Sequence, residues 1–144
     1  MTFEEDLKSW KKIEREFASK LWKWDVSKVE LSEWEFKEWD VKATFNNKWQ
    51  SYDKTFEIKR DRQVEQTWNV WIEYMYKWHP SWIYTSTANY IVYKLWDKFY
   101  YADRVRFIIE LSKIEKADVI GGYDDKVNMR LVKREIFNLI TKEL

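Results

Sequence analysis

The spacing of the apolar residues changes from a helical period to strict alternation early in the chain, and this change restricts the possible folds more than any other feature. The segment 3–21 has an apolar stripe at helical spacing, flanked by Ile13, and the stripe consists of Phe3, Leu7, Trp10, Phe17 and Leu21. Apolar and polar residues then alternate in the segments 29–36, 40–45 and 56–61, as is typical of strands. The sequence therefore predicts a long amphipathic helix followed by neighbouring strands.

The rest of the chain continues this mixture of strands and helices. The further predicted elements are strands 69–76, 90–95, 98–101 and 128–132 and helices 102–116 and 134–144. The residues of the first of these helices that are expected to point inward are Val105, Ile108, Ile109 and Leu111. The acidic, glycine-containing segment 118–125 does not match a calcium loop and predicts a solvated connection. We expect a single domain over residues 1–144 with an α/β (α+β) fold.

Composition excludes several classes of function. The net charge of +1 argues against a strongly basic nucleic-acid coat and against an acidic disordered chain. The absence of cysteine excludes a disulfide framework, thiolate chemistry and cysteine-ligated zinc. No apolar run approaches the length of a membrane span, and the first residues are acidic, unlike a signal peptide. We therefore expect a cytoplasmic protein without a membrane partner.

The glycine and tryptophan contents are abnormal. The chain has 2 glycines and 11 tryptophans, whereas the usual glycine frequency of about 7% would give roughly ten glycines. Seven tryptophans occupy positions where chains normally turn, namely Trp22, Trp34, Trp49, Trp68, Trp78, Trp82 and Trp96. We predict that the gene specifies glycine there, through a UGA codon that some genetic codes read as glycine and others as tryptophan. The alternative is a genuinely tryptophan-rich protein.

Three acidic residues and one lysine are candidates for a shared site. Glu14 falls inside the apolar stripe of the first helix, where an acid is costly unless it is paired or metal-linked. Glu57 and Lys59 share one face of their predicted strand, and Asp40 begins the preceding one, so the two carboxylates can converge. The alternatives are a salt-bridged internal Glu14 and a surface ion pair between Glu57 and Lys59.

The order of these residues resembles the motif of the PD-(D/E)xK nuclease superfamily. The piece 13–17 (IEREF) is similar to the first-helix signature of its Holliday-junction resolvase branch, which puts the family's helical acid at Glu14. Asp40 matches the motif aspartate, although Trp39 stands where proline is usual, and Glu57 and Lys59 match the (D/E)xK pair.

Two further segments are similar to a phage-type group of this superfamily. Residues 57–74 resemble its pattern E-V-K-x-D followed by T-G-N-x-x-I-E-Y, and residues 80–90 resemble P-S-G-I-x-T-T-x-A-D-Y. The chain has Trp68 and Trp82 where that group has glycine, and Asn89 where it has aspartate. The first difference agrees with the predicted glycine codons, and the second leaves a role for residue 89 open.

The resemblance implies a restriction-endonuclease-like core, in which helices flank a mixed central β-sheet. It implies Mg²⁺, with Mn²⁺ as a substitute, bound by Asp40, Glu57 and the Ile58 carbonyl. Glu14 would hold the metal through water or at a second-metal position, and Lys59 would orient or help deprotonate the attacking water. The catalytic candidates implied in this way are Glu14, Asp40, Glu57, Lys59, Gln63 and Gln66.

The implied function is a metal-dependent DNA endonuclease in a bacterial or phage-infected cell, acting in recombination, repair or genome processing. Its partner would be DNA, including branched DNA, and a homodimer would fit a symmetric substrate. One alternative is a catalytically inactive nucleic-acid-binding module on the same fold. The other is an interaction protein that uses exposed aromatic residues as anchors.

Overall fold

A computed structural model describes residues 3–32, 39–60, 68–76, 79–80, 82–114, 118–121 and 127–144 of the chain. Within these residues the fold is α+β, with a mixed central sheet flanked by helices. The helices are α1 (Phe3–Leu21), α2 (Trp82–Thr85), α3 (Arg104–Lys113) and α4 (Arg134–Ile140).

The central sheet has six strands in the order β1-β2-β3-β6-β7-β10. Its strands are β1 (Val26–Leu31), β2 (Val41–Asn46), β3 (Ser51–Arg60), β6 (Tyr90–Leu95), β7 (Lys98–Asp103) and β10 (Lys142–Glu143). The β3 and β6 strands run parallel, and the other neighbours are antiparallel. The connection between β3 and β6 contains the first strands of a second sheet and α2, as the long crossover of a parallel pair requires.

The second sheet has four strands in the order β5-β4-β9-β8 and was not predicted from the sequence. Its strands are β4 (Asn69–Tyr76), β5 (His79–Pro80), β8 (Asp118–Gly121) and β9 (Val127–Lys133). The prediction of a solvated connection over residues 118–125 is therefore wrong for residues 118–121, because these residues pair with β9. Residues 122–125 lie outside the described part of the chain.

The α1 helix covers one face of the central sheet. Its residues Ile13, Phe17 and Leu21 are buried together with residues of β2 and β3. The Phe17 ring meets the rings of Phe56 and Phe99 at centroid distances of 5.1 and 5.5 Å. The alternation of β3 therefore directs Phe56 and Ile58 towards α1, which leaves Glu57 and Lys59 on the opposite face.

The opposite face of the central sheet packs against the second sheet and the remaining helices. A second apolar cluster contains Ile91 and Tyr93 of β6, Val70 of β4, Phe107 of α3 and Phe137 of α4. Two apolar layers therefore enclose the central sheet, and Glu57 and Lys59 stand on the same face as Ile91 and Tyr93.

Several predicted boundaries and orientations are wrong. The first strand is 26–31 rather than 29–36, of which residues 33–36 lie outside the described part. The last helix ends at Ile140, and the strand β10 follows it. On α3 the buried positions are Phe107 and Leu111, so Val105 and Ile109 face solvent instead of the core. The described helices include none long and apolar enough to cross a membrane.

The tryptophans proposed to replace glycine behave in two ways. Trp68 and Trp96 have φ angles of 59° and 55°, and these are the positive values among the described residues other than glycine. A bulky side chain is an outlier in this left-handed region, which glycine enters freely. Trp22 and Trp49 do not have positive φ, so their backbones do not require glycine, and Trp82 is the first residue of α2. Trp34 and Trp78 lie outside the described residues.

Candidate active site

Asp40 lies directly before β2, at the point where that strand begins to pair with β3. Its backbone N–H donates to the Phe56 carbonyl at 2.9 Å. Its side-chain Oδ2 accepts a hydrogen bond from the Ile58 backbone N–H at 2.8 Å. Asp40 is therefore fixed beside the Glu57-Ile58-Lys59 segment of β3 by one hydrogen bond of its backbone and one of its carboxylate.

Glu57 is largely buried on the face of the central sheet opposite α1. Its Oε1 atom lies 3.7 Å from Lys59 Nζ, and its Oε2 atom is buried without a hydrogen-bond partner among the described residues. Burial raises the pKa of the Glu57 carboxyl above its ordinary value, while Lys59 and the Ser86 hydroxyl act in the opposite direction. An ionised Glu57 is therefore only partly compensated by its surroundings.

Glu14 is 6% exposed on the sheet-facing side of α1, as its place in the apolar stripe predicts. Lys11, one turn earlier, lies 3.3 Å from Glu14 Oε2 and also donates to the Ser32 carbonyl at 2.7 Å. Burial raises the pKa of Glu14, and the neighbouring charge of Asp40 raises it further. The salt-bridged alternative for Glu14 is thus present, since Lys11 partly neutralises it.

Asp40 is the residue that links the other three electrostatically. Burial raises its pKa, which the Ile58 N–H, Lys59 and Lys11 oppose. Its negative charge in turn raises the pKa values of Glu14 and Glu57. Like charges held this close in a partly buried site disfavour full ionisation unless a cation joins them.

The described part of the chain thus brings Glu14, Asp40, Glu57 and Lys59 into one region of the fold. The predicted candidates Gln63 and Gln66 lie outside the described residues. No three of the described aspartate, glutamate and histidine side chains form a ready-made metal cage. Any cation here would therefore rely on two carboxylates, a backbone carbonyl and water.

Three residues near the site were missed by the sequence reasoning. Lys11 balances Glu14, and Ser86 reaches Glu57 from the segment after α2. Arg104 fixes that segment, because its guanidinium donates to the carbonyls of Ile83 and Ala88 at 3.1 and 3.2 Å. A lysine three residues before a buried helical acid could have identified Lys11, whereas Ser86 and Arg104 carry no local signal.

Asn89, whose role the sequence left open, connects two elements close to the site. Its Oδ1 atom accepts hydrogen bonds from the Thr55 backbone N–H and hydroxyl at 2.9 and 3.1 Å. Its own backbone carbonyl accepts from the Arg104 N–H at 3.0 Å. Asn89 therefore aligns the start of β6 with β3 and α3.

The basic residues near the C-terminus are Lys126, Arg130, Lys133 and Arg134, which the sequence offers either as a phosphate-contacting patch or as a solvated helix face. Arg130 donates to the Leu111 carbonyl at 2.8 Å, and Arg134 is buried against the Tyr100 ring at 4.4 Å while it donates to Asn138. Lys133 remains exposed, and Lys126 lies outside the described residues. Arg130 and Arg134 stabilise the packing of α3, α4 and the sheets and do not form a surface patch.

Comparison with protein-family models, with curated proteins and with solved structures finds no match for this chain. The class that the structure defines is therefore an α+β protein with a six-stranded mixed sheet, in which a cluster of partly buried carboxylates surrounds the paired start of β2.

Proposed function

We propose that this chain is a metal-dependent DNA endonuclease of the PD-(D/E)xK type. The observation that carries the proposal is the hydrogen bond from the Ile58 N–H to Asp40 Oδ2, which holds the second carboxylate beside the Glu57-Ile58-Lys59 triplet. An aspartate at a strand start, next to a Glu-x-Lys on the adjacent strand, is the arrangement that the sequence resemblance implies. The buried Glu14 on α1 adds the helical acid.

The order of elements around this site supports the same proposal. A helix is followed by three consecutive antiparallel strands, and a crossover then leads to a strand parallel to the third. This order gives the mixed sheet expected for a restriction-endonuclease-like core. Glu57 lies on β3 and Asp40 directly precedes β2, and both strands are paired on either side within the central sheet, which limits the movement of their backbones.

The available donors fit a hard divalent cation such as Mg²⁺. Buried Glu57 Oε2 lacks a hydrogen-bond partner within the described residues, and a cation would satisfy it. The N–H and C=O of one strand residue point to the same side, so the Ile58 carbonyl faces the side on which its N–H meets Asp40. Mg²⁺ is usually held by one or two carboxylates and by water, which matches Asp40, Glu57 and the Ile58 carbonyl.

The side chains of the site have distinct roles in phosphodiester hydrolysis. A bound Mg²⁺ lowers the pKa of a coordinated water and offsets the charge that develops on the phosphate. Lys59, 3.7 Å from Glu57 Oε1, orients the attacking water and holds the phosphate by its positive charge. Glu14 and its partner Lys11 lie on the α1 side of Asp40, and Glu14 accepts a proton more readily than an ordinary glutamate because burial and the Asp40 charge raise its pKa.

Cleavage of supercoiled plasmid and of branched DNA in the presence of Mg²⁺ tests this proposal. We expect nicked or linear products from the wild-type chain, or from a chain in which Trp68→Gly and Trp82→Gly restore the two glycines of the phage-type pattern. Glu57→Gln and Lys59→Met should each lower the rate at least about 100-fold, whereas Glu30→Gln on exposed β1 serves as the matched control. If the wild-type chain and the chain with Trp68→Gly and Trp82→Gly both bind DNA but do not cleave it, the protein is an inactive binding module.

A further inference from the structure

A second concave site lies on the α1 face of the central sheet, away from the carboxylates. Its cavity of about 150 Å³ is enclosed largely by aromatic rings and is called the aromatic pocket below. The walls are Trp24, Tyr52, Tyr90 and Tyr101, with Phe56 buried at the base. Because Phe56 and Glu57 are consecutive on β3, their side chains point to opposite faces, and the aromatic pocket is distinct from the candidate active site.

The rings of the aromatic pocket are arranged as flat, partly exposed platforms. Phe45 and Tyr52 stack with centroids 6.0 Å apart and planes 19° apart, and Phe56 and Tyr90 stack at 5.3 Å and 19°. Tyr52 is 41% exposed, so its ring remains accessible. A cavity of this size accommodates a single planar ring system and is smaller than the usual site for a drug-sized ligand.

The charges at the rim select the kind of planar ligand. Lys54 Nζ lies 5.7 Å from the Tyr52 ring and 6.0 Å from the Tyr90 ring, and Lys23 Nζ lies 5.7 Å from the Trp24 ring. No carboxylate is among the described residues that line the pocket. A cationic ligand would be repelled by the two ammonium groups, whereas a planar ring joined to an anion could stack and pair with lysine.

A neighbouring cleft gives such a ligand room to continue. This cleft of about 420 Å³ shares the residues Tyr90 and Tyr101 with the aromatic pocket and contains the cations Arg106 and Lys142. Its two acids are Asp103 and Glu110. Asp103 Oδ1 accepts the Arg106 N–H at 3.0 Å to cap α3, and Glu110 pairs with Lys113 at 3.5 Å. Burial raises the pKa of Tyr90, so this shared wall stays neutral at ordinary pH.

We propose that the aromatic pocket binds one unpaired base of a single-stranded stretch of DNA, with Lys54 contacting the adjacent phosphate. Base stacking on aromatic side chains with a nearby cation is the usual means of holding a single strand without sequence preference. The choice of DNA as the polymer rests on the proposed nuclease function, although the pocket itself does not depend on the carboxylates. The site would hold the unpaired arm of a branched substrate on the face opposite the site of cleavage.

Fluorescence anisotropy with a labelled short oligothymidine in EDTA tests the proposal without cleavage. In a Glu57→Gln background, Tyr52→Ala should weaken binding about 10-fold, the loss expected for one stacked base, while Tyr52→Phe should retain the affinity. Lys54→Gln should reduce the slope of log affinity against log salt by roughly 0.7, as for one phosphate contact on a single strand. Tyr84→Ala, an exposed tyrosine outside the pocket, is the matched control.

An oligonucleotide with abasic sites checks the same point without altering the protein. The wild-type pocket should bind it about 10-fold more weakly than oligothymidine. Thymidine monophosphate should not compete at the concentrations at which oligothymidine binds. Equal affinity for abasic and normal strands, or unchanged affinity of the folded Tyr52→Ala chain, would overturn the proposal. Since EDTA prevents metal-dependent cleavage, failure of the nuclease assay with retained strand binding would refute the proposed function and leave this inference standing.

Discussion

At the scale of single residues, the candidate site is defined by carboxylates that the fold leaves incompletely compensated. Asp40 uses Oδ2 to accept the Ile58 N–H, while Glu57 Oε2 is buried without a partner in the described part of the chain. Burial raises the pKa values of Glu14, Asp40 and Glu57. These groups therefore lower the stability of the metal-free protein when they ionise, which favours their interpretation as functional rather than structural.

Glu57→Gln should accordingly stabilise the metal-free protein at neutral pH. A carboxyl with a raised folded-state pKa makes stability fall as the pH rises from the ordinary value, about 4.3, through the folded pKa. Glutamine does not ionise and causes no such loss of stability. We therefore expect Glu57→Gln to raise the free energy of unfolding by roughly 1 kcal/mol at neutral pH, and this gain should shrink towards zero near the ordinary pKa. Denaturant unfolding of both chains in EDTA across this pH range measures the difference.

The matched control for this prediction is Glu16→Gln on the same protein. Lys94 donates to Glu16 at 2.7 Å, and this hydrogen bond lowers the pKa of Glu16. The contribution of Glu16 to the stability of the fold is present above the ordinary carboxyl pKa, and it is lost as the pH falls through the lowered pKa of the folded protein. Glu16→Gln should therefore weaken the fold slightly at neutral pH, and the same sign for both variants would contradict the account.

At the scale of elements, the backbone angles of two turns show a preference for glycine that the side-chain patterns alone do not prove. The loop between β6 and β7 has two central residues, and the first, Trp96, has φ of 55°, whereas Asp97 has no positive φ. This is the pattern of a type II′ hairpin turn, in which glycine is preferred at the first central position. The exposed indoles of Trp68 and Trp96 also contact each other at 5.6 Å, so both left-handed residues lie at one surface.

Trp68→Gly and Trp96→Gly should therefore each stabilise the fold, by about 1 kcal/mol, because glycine removes the steric cost of the left-handed backbone. Trp49→Gly is the control, since Trp49 is 86% exposed and does not have positive φ, and it should bring no gain. Thermal unfolding of the three variants provides the measurement. Sequencing the gene gives an independent check, and a UGG codon at 68 and 96 would refute the glycine assignment.

The elements that could be predicted from the sequence are those whose pattern is local. The stripe of α1 and the alternation of β2 and β3 were sufficient to predict the buried Glu14 and the neighbourhood of Asp40 and Glu57, because both periods fix which side chains share a face. The pairing of β4 with β9 was not predictable in this way, since it joins segments far apart in the chain. The inward face of α3 was predicted only in part: Leu111 is buried as expected, but the equally spaced Val105 and Ile109 are exposed and Phe107 takes the inward position.

The candidate site shows the same limit. Glu57 and Lys59 were recognised from their spacing, whereas Ser86 reaches Glu57 from another element that Arg104 and Asn89 hold in position. Such contacts depend on the tertiary arrangement of α2, β6 and α3, and short patterns in one segment do not encode them.

At the scale of the whole molecule, the central sheet separates two surfaces with different chemistry. The face with Glu57 and Lys59 packs in part against the second sheet, α3 and α4 but leaves the Lys59 side chain 33% exposed, and the α1 face bears the aromatic pocket. The net charge of +1 provides little long-range attraction for DNA. If the chain binds DNA as proposed, local contacts such as Lys59 at the carboxylates and Lys54 at the aromatic pocket must supply most of the affinity.

Whether Asp40 and Glu57 share one divalent cation can be measured by calorimetric titration with Mn²⁺. We expect one Mn²⁺ per chain, tighter binding as the pH rises and the carboxyls ionise, and a loss of at least roughly 10-fold in affinity in Asp40→Asn and in Glu57→Gln. The double variant should bind no more weakly than the weaker single one, because both changes remove the same site. Absence of Mn²⁺ binding to the wild-type chain, or unchanged affinity in both single variants, would contradict a shared cation site.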